Sequence, residues 1–163
     1  MMPNYKSMLP FRMNKLLLIL LFASVCAVTK AQTEEVLVKA AVNKLFIAMK
    51  TGDAGMLTSC FTDGALLQSI AADKEGNAII NNEPIVDFAK QISRLPKGAA
   101  DERIIFRSVQ IDGTLANVWT PYTFYFNDKF SHCGVNNFIL VKLKNEWKIQ
   151  YIIDTRRKNG CVL

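Results

Sequence analysis

The sequence has one histidine, His132, and few glycines, prolines or cysteines: 8, 5 and 4 among 163 residues. The low glycine and proline content excludes collagen-like and low-complexity chains. One histidine and scattered cysteines do not supply the three or four converging ligands that a metal site needs. Neither a glycine-rich phosphate loop nor a G-x-S-x-G nucleophile motif occurs. The sequence therefore predicts no metal site and no cofactor.

Hydrophobic residues make up 50% of the chain and charged residues 21%. This balance excludes an intrinsically disordered protein. The length is that of a single domain. The formal charge of +6 would favour nucleic acid or an anionic membrane as a partner, but that inference depends on where the basic residues lie.

The N-terminal segment has the order of a secretory signal peptide. Three basic residues precede an apolar run over residues 16–28, and small residues lead to Ala31. The run is shorter than the roughly 20 residues of a membrane-spanning helix, although an uncleaved anchor is the alternative interpretation. We predict cleavage between Ala31 and Gln32, with either Met1 or Met13 as the start of the chain.

Cleavage changes the charge and the cysteine count. Four basic residues and no acidic residue leave with the signal, so the formal charge falls from +6 to +2. We therefore expect no nucleic-acid partner, and no membrane partner after cleavage. The mature domain, residues 32–163, is predicted to be periplasmic or extracellular. Cys60, Cys133 and Cys161 remain, so at most one intramolecular disulfide forms, and the sequence leaves the pair open.

The mature chain reads as helices first and strands last. Apolar residues at spacings of three and four predict an amphipathic helix over 33–51. Asp53 is positioned to cap a short helix over 54–61, and Pro84 to open a third helix. Strands are predicted at 65–72 and 78–81, and then at 104–111, 117–126, 130–143 and 147–155. A curved antiparallel sheet packed on N-terminal helices is an α+β fold.

Hairpin registers place polar side chains on one face of this sheet. With three-residue turns and no bulge, Phe126 pairs with Phe130 and Leu143 with Trp147. Pro121 lacks an N–H, and a bulge beside it would bring Trp119 to the same face. A polar cluster in an apolar frame is typical of a small-ligand pocket. The predicted ligand-binding residues are Trp119, Tyr122, Phe124, His132, Asn136, Phe138, Asp154 and Arg156.

The chemistry of this face allows two interpretations. As the only imidazole, His132 could pair with Asp154 for acid–base catalysis, with Tyr122 donating to a developing oxyanion. The alternative is a structural histidine. Neighbours on a strand point to opposite faces, which disfavours a nucleophilic dyad of His132 with Cys133.

Binding without catalysis is the other interpretation. Asp154 and Arg156 could hold an anionic ligand through charge-assisted hydrogen bonds, although a solvated basic C-terminus is the simpler alternative. The aromatic side chains could stack on a planar ligand, or only pack in the core. The opposite face is apolar and is expected to contact helices or a second subunit. It carries Val135, Ile139, Val141, Trp147, Ile149, Tyr151 and Ile153.

Several short strings match one protein superfamily. They are Lys50-Thr51-Gly52-Asp53, Asp63-Gly64-Ala65, Trp119-Thr120-Pro121-Tyr122, Ser131-His132-Cys133-Gly134, Trp147-Lys148-Ile149 and Asp154-Thr155-Arg156-Arg157. Over residues 33–157 the chain resembles the nuclear transport factor 2-like superfamily. Within it, the chain is similar to secreted Bacteroidota members of the SnoaL-like and lumazine-binding-like branch.

The resemblance implies a cone-shaped α+β barrel whose curved sheet wraps the N-terminal helices around a cavity, and a homodimer formed through the sheet. Members of the superfamily isomerise, cyclise or only bind, so the fold does not give a reaction. We expect a secreted protein that binds a small planar or anionic organic ligand. The alternatives are an isomerase, cyclase or dehydratase that uses His132 and Asp154, and a protein-interaction module that acts through the outer sheet face.

Overall fold

The structure, a computed structural model, describes residues 15–161, with side chains from Gln32 onward. Contacts divide the chain into two units, Met1–Thr33 and Glu34–Leu163. The core, the sheet and the cavity described below belong to the second unit. The side chains of the predicted signal peptide, residues 1–31, lie outside the described part. Among the described residues, no helix is long and apolar enough to cross a bilayer.

Residues 15–161 contain three helices: α1 (Lys15–Thr51), α2 (Ala54–Ser59) and α3 (Ile85–Ser93). The first extends upstream of the start predicted at residue 33. Its predicted inward face is confirmed, because Val38, Val42, Leu45 and Met49 are all buried. The cap of α2 is also confirmed, since the Asp53 carboxylate accepts a hydrogen bond from the Met56 backbone N–H at 2.8 Å.

In the part of the chain that the structure describes, seven strands form one curved, unclosed sheet. They are β1 (Phe61–Ala72), β2 (Ala78–Asn82), β3 (Ala100–Ile104), β4 (Ser108–Asp112), β5 (Leu115–Phe126), β6 (Lys129–Leu143) and β7 (Glu146–Thr155). The strand order is β2-β1-β7-β6-β5-β3, and β4 also pairs with β5. The expectation of a wholly antiparallel sheet is wrong at one place, because β1 runs parallel to β7. The sheet is therefore mixed, in an α+β fold.

The single strand predicted over 104–111 is two strands. Both β3 and β4 pair with β5, and residues 105–107 separate them. The first of the two begins at Ala100, earlier than predicted. This extension pairs Glu102 with Phe124 and so adds an acidic residue to the inner face of the sheet.

Both long hairpins close with two-residue turns rather than the predicted three. Asn127 and Asp128 have φ of 48° and 62°, and Lys144 and Asn145 have φ of 48° and 68°. Positive φ at both central residues matches the right-handed strand twist of a tight hairpin, and asparagine and aspartate tolerate it. The strand pairs beside each turn are therefore shifted by one residue from the predicted register.

A β-bulge in each hairpin restores the predicted register farther from the turn. The bulges lie opposite the steps Phe124–Tyr125 and Ile139–Leu140. Beyond them Phe124 pairs with His132, as predicted. On the turn side of its bulge, β7 points Trp147 and Ile149 into the core instead of the predicted outer face. The remaining members of that face, from Val135 to Ile153, stay partly exposed.

The core lies between the helices and the concave face of the sheet. Phe46 on α1 meets Phe138 on β6 edge to face, with ring centroids 6.0 Å apart. At the C-terminus, a disulfide joins Cys133 to Cys161, while Cys60 is free and buried. Backbone hydrogen bonds between Cys133 and Arg157 hold the same segment against β6.

Candidate functional site

A cavity of about 330 Å³ opens between α1, α3 and the concave face of the sheet. This volume is in the range of small-molecule sites. Its apolar lining consists of Leu45, Phe46, Met49, Leu67, Phe88, Ile92, Leu95, Ala100, Phe124, Phe126, Phe138 and Ile152. Its polar lining consists of Glu83, Gln91, Glu102, Tyr122, His132, Asn136, Asp154 and Arg156.

At the centre of the polar lining, the buried carboxylate of Asp154 accepts hydrogen bonds from two side chains. Asp154 Oδ2 accepts from the Tyr122 hydroxyl at 2.8 Å and from Arg156 Nε at 2.9 Å. Asp154 is only 5% exposed, so the guanidinium and the hydroxyl replace much of the solvation that its charge loses. The Tyr122 hydroxyl also lies 3.0 Å from the Thr155 carbonyl oxygen.

Burial and charge fix the protonation of these partners. Burial, followed by the negative charges of Asp154 and Glu102, raises the pKa of Tyr122, so its hydroxyl stays neutral. Burial opposes the charge of Arg156, but the hydrogen bond and attraction of Asp154 outweigh it and raise the pKa of Arg156. The trio of Asp154, Tyr122 and Arg156 therefore contains one ion pair and one neutral hydroxyl donor.

Beside the trio lies Glu102, which sequence reasoning missed. Glu102 Oε1 accepts from Asn136 Nδ2 at 2.7 Å. Burial, reinforced by the charge of Asp154, raises the pKa of Glu102 to about 7, although Asn136 and Arg156 act in the opposite direction. A carboxyl group with that pKa exchanges its proton near neutral pH. The alternation of Ala100, Glu102 and Ile104 would have revealed it had the strand been extended upstream.

His132 lies in the cavity but does not pair with Asp154. Its Nδ1 is 3.1 Å from Ser131 Oγ, and its ring contacts Phe124 at a centroid distance of 5.1 Å. The predicted His132–Asp154 pair does not form among the described residues: Asp154 Oδ2 is bonded to Tyr122 and Arg156, and His132 lies against Ser131 and Phe124 instead. Burial, followed by the positive charge of Arg156, lowers the pKa of His132. The imidazole is therefore neutral at pH 7.

Glycine at position 134 makes the trio possible. A Cβ there would lie 1.7 Å from the Thr155 carbonyl oxygen and 2.9 Å from Tyr122 Cε1. The Tyr122 ring lies beside the space that a side chain at this position would fill. The absent side chain lets the tyrosine reach Asp154 and Thr155 at the same time.

The structure brings seven of the eight predicted binding residues to the cavity lining and leaves out Trp119. The pairing of β5 with β6 has no bulge beside Pro121, so Trp119 pairs with Asn137 and lies on the opposite face of the sheet, 45% exposed. Cys133 is on that opposite face as well, and its sulfur is in the disulfide. Within the described part of the chain, no three side chains of metal-ligating type converge.

Solved structures match this architecture. An NTF2-like protein from Shewanella baltica shares 15% identity and a TM-score of 0.60, over 78% of this chain and 96% of that one. One from Methylobacillus flagellatus shares 20% identity and a TM-score of 0.58, over 77% and 93%. A candidate dehydratase of the NTF2-like family from Streptomyces avermitilis shares 13% identity and a TM-score of 0.57, over 78% and 98%. No protein-family model matches the sequence, and a search of curated proteins finds no significant match.

These likenesses establish the class of fold. The chain has the nuclear transport factor 2-like fold, a curved sheet packed on helices. The resemblance read from the sequence strings is thus confirmed at the level of the superfamily fold. Because this fold serves unrelated activities, the function has to be argued from the cavity itself.

Proposed function

We propose that this protein is a secreted binder of a small organic molecule, within the SnoaL-like and lumazine-binding-like branch of its superfamily. One observation carries the proposal: a cavity of about 330 Å³ combines apolar walls with a compact polar cluster. Apolar walls supply affinity through surface burial, and a few polar groups orient the ligand. Several of the wall residues are phenylalanines, which favour a planar ligand through stacking or edge contacts.

The test uses a planar probe and two matched aromatic variants on one strand. 2-Naphthol fits the cavity volume, and its own fluorescence reports binding. Phe124→Ala removes a ring from the cavity lining and should weaken binding about tenfold, since one aromatic contact contributes roughly 1 kcal/mol beyond its buried area. Trp119→Ala removes a ring from the opposite face and should leave binding unchanged. Equal affinities for wild type and both variants, with folding verified by circular dichroism, would reject the cavity as the site.

Secretion is the second part of the proposal. Helix α1 is bonded to the sheet just after the predicted N-terminus Gln32. Glu34 accepts hydrogen bonds from Lys142 Nζ at 2.6 Å and from Trp147 Nε1 at 3.0 Å. Cleavage after Ala31 leaves these hydrogen bonds intact. N-terminal sequencing of the exported protein should read from Gln32. Recovery of the protein only as an uncleaved membrane-bound chain would show that the segment is an anchor.

We also propose a homodimer through the outer face of the sheet. Leu66 and Ile80 are 55% and 59% exposed on this face, and Trp119 lies on it as well. An exposed apolar surface of this kind is typical of an interface. Sedimentation should show a dimer that Leu66→Lys dissociates. A monomer at all concentrations would refute the dimer, and a monomer that captures another protein would favour the interaction-module alternative.

Catalysis of an isomerase, cyclase or dehydratase type is the second candidate, and Glu102 is the observation that favours it. A carboxyl group that titrates near pH 7 beside a neutral tyrosine hydroxyl combines a proton acceptor with a hydrogen-bond donor. Loss of α-deuterium exchange for a bound ketone in Glu102→Gln, with exchange retained in His132→Gln, would assign the base to Glu102. The reverse pattern would restore the role first expected for His132.

A further inference from the structure

The cavity lining has more acidic than basic side chains. Among the described residues that line it, Glu83, Glu102 and Asp154 are acidic and Arg156 alone is permanently cationic. Arg156 donates through Nε to Asp154 at 2.9 Å, and its side chain is 46% exposed. Its charge is therefore already balanced within the protein and partly hydrated, which leaves little attraction for an anionic ligand.

Hydrogen-bond acceptors in this cluster remain open. Asp154 Oδ1 is buried and has no hydrogen-bond partner among the described residues. Glu102 accepts from Asn136 at Oε1, and its Oε2 makes no hydrogen bond within the same part of the chain. A buried acceptor without a hydrogen bond, such as Asp154 Oδ1, destabilises the protein. A ligand that brings a donor to these carboxylates offsets part of that destabilisation, whereas a ligand carboxylate adds repulsion.

We propose that the bound molecule presents a hydrogen-bond donor, a hydroxyl or an ammonium group, to Glu102 and Asp154, and that the site discriminates against carboxylates and phosphates. The inference rests on the proposed ligand-binding function and names the ligand class. It replaces the anionic ligand expected from Asp154 and Arg156 in the sequence, because the ion pair between Arg156 Nε and Asp154 Oδ2 balances the positive charge of Arg156. The apolar walls hold the body of the ligand, and the two carboxylates recognise its polar end.

Three probes with one aromatic body and different polar groups test this proposal. They are 2-naphthol, 2-naphthylmethylamine, which is cationic at pH 8, and 2-naphthoate. Calorimetric titration at pH 8, above the pKa of about 7 of Glu102, should give dissociation constants at least tenfold lower for the alcohol and the amine than for the carboxylate. Tighter binding of 2-naphthoate would overturn the inference and leave the ligand-binding function standing. Failure of all three probes to bind would refute both.

A variant that is expected to bind one probe more tightly distinguishes a specific effect from misfolding, because a misfolded protein would lose binding of all three probes. Glu102→Gln keeps an acceptor for Asn136 and replaces the open Oε2 with an amide donor. It should weaken binding of 2-naphthylmethylamine at least tenfold and strengthen binding of 2-naphthoate. Glu75→Gln, a change of the same charge in the exposed β1–β2 turn, is the control and should behave as wild type. An unchanged order of the three probes in Glu102→Gln would overturn the role of Glu102.

Discussion

Replacement of Glu102 by glutamine should change how the stability of the protein depends on pH. In the folded protein burial raises the pKa of Glu102 from its ordinary value of 4.5 to about 7. Between these values the unfolded chain loses the proton before the folded protein does, so the free energy of unfolding falls as pH rises. A difference of about 2.5 in pKa, at about 1.36 kcal/mol for each unit, corresponds to about 3 kcal/mol. The amide of the Glu102→Gln variant does not titrate, so the variant lacks this loss.

The assay is urea unfolding of wild type and Glu102→Gln, oxidised throughout, at a series of pH values from 4 to 8.5. The variant-minus-wild-type difference should rise by about 3 kcal/mol across this range and level off above pH 8. Other carboxylates, such as Asp101 and Asp73, have lowered pKa values and act in both proteins, so they cancel in the difference. Glu75→Gln should track wild type at every pH.

A difference that stays constant from pH 4 to 8.5 would refute the reasoning, because it would mean that Glu102 titrates alike in the folded and unfolded chains. A difference that falls with pH would mean that the folded protein stabilises the ionised carboxylate. Carbon-13 NMR of the labelled Glu102 carboxyl gives the pKa directly, and a value near 4.5 would lead to the same rejection.

Three further substitutions test the surroundings of the cavity by denaturant unfolding. Gly134→Ala forces a Cβ to 1.7 Å from a backbone carbonyl oxygen and should cost roughly 3 kcal/mol or more; a loss below about 1 kcal/mol would show that the strands separate easily there. Tyr122→Phe deprives Asp154 of one donor at 2.8 Å and should cost about 1–3 kcal/mol, and a neutral result would mean that the hydroxyl contributes nothing to the buried carboxylate. Replacing both Cys133 and Cys161 with serine removes a disulfide across a sequence separation of 28 and should lower the free energy of unfolding by about 3.5 kcal/mol. Unchanged stability would show that other contacts hold the C-terminal segment.

Most residues of the inner face of the sheet could be predicted from the sequence, because side chains still alternate between the two faces in the predicted order far from the turns. Each two-residue turn shifts its hairpin by one position, and each bulge shifts it back. Asn136 therefore faces Asp154, which is the pairing that a three-residue turn without a bulge would also give. The error in the predicted register persists only between turn and bulge, where Trp147 and Ile149 turn inward. Local turn residues do not distinguish a tight turn with a bulge from a longer turn without one.

Glu102 could not be recognised because the signal for its strand is long-range. The segment reads Asp101-Glu102-Arg103, a polar run typical of a loop. In the structure Asp101 is buried and bonded to Lys50 at 2.9 Å and to Arg103 at 3.0 Å. Lys50 and the pairing strand β5 are both remote from this segment in sequence, so the local pattern does not reveal the strand. The parallel pairing of β1 with β7 and the choice of disulfide partners depend in the same way on contacts between remote parts of the chain.

The most direct test of ligand binding in the cavity is an NMR measurement of contacts between protein methyl groups and bound 2-naphthol. We expect intermolecular nuclear Overhauser effects to methyls of Leu45, Met49 and Ile92, which line the cavity. Contacts only to Leu66 and Ile80 on the outer face, or no contacts at saturating 2-naphthol, would contradict it.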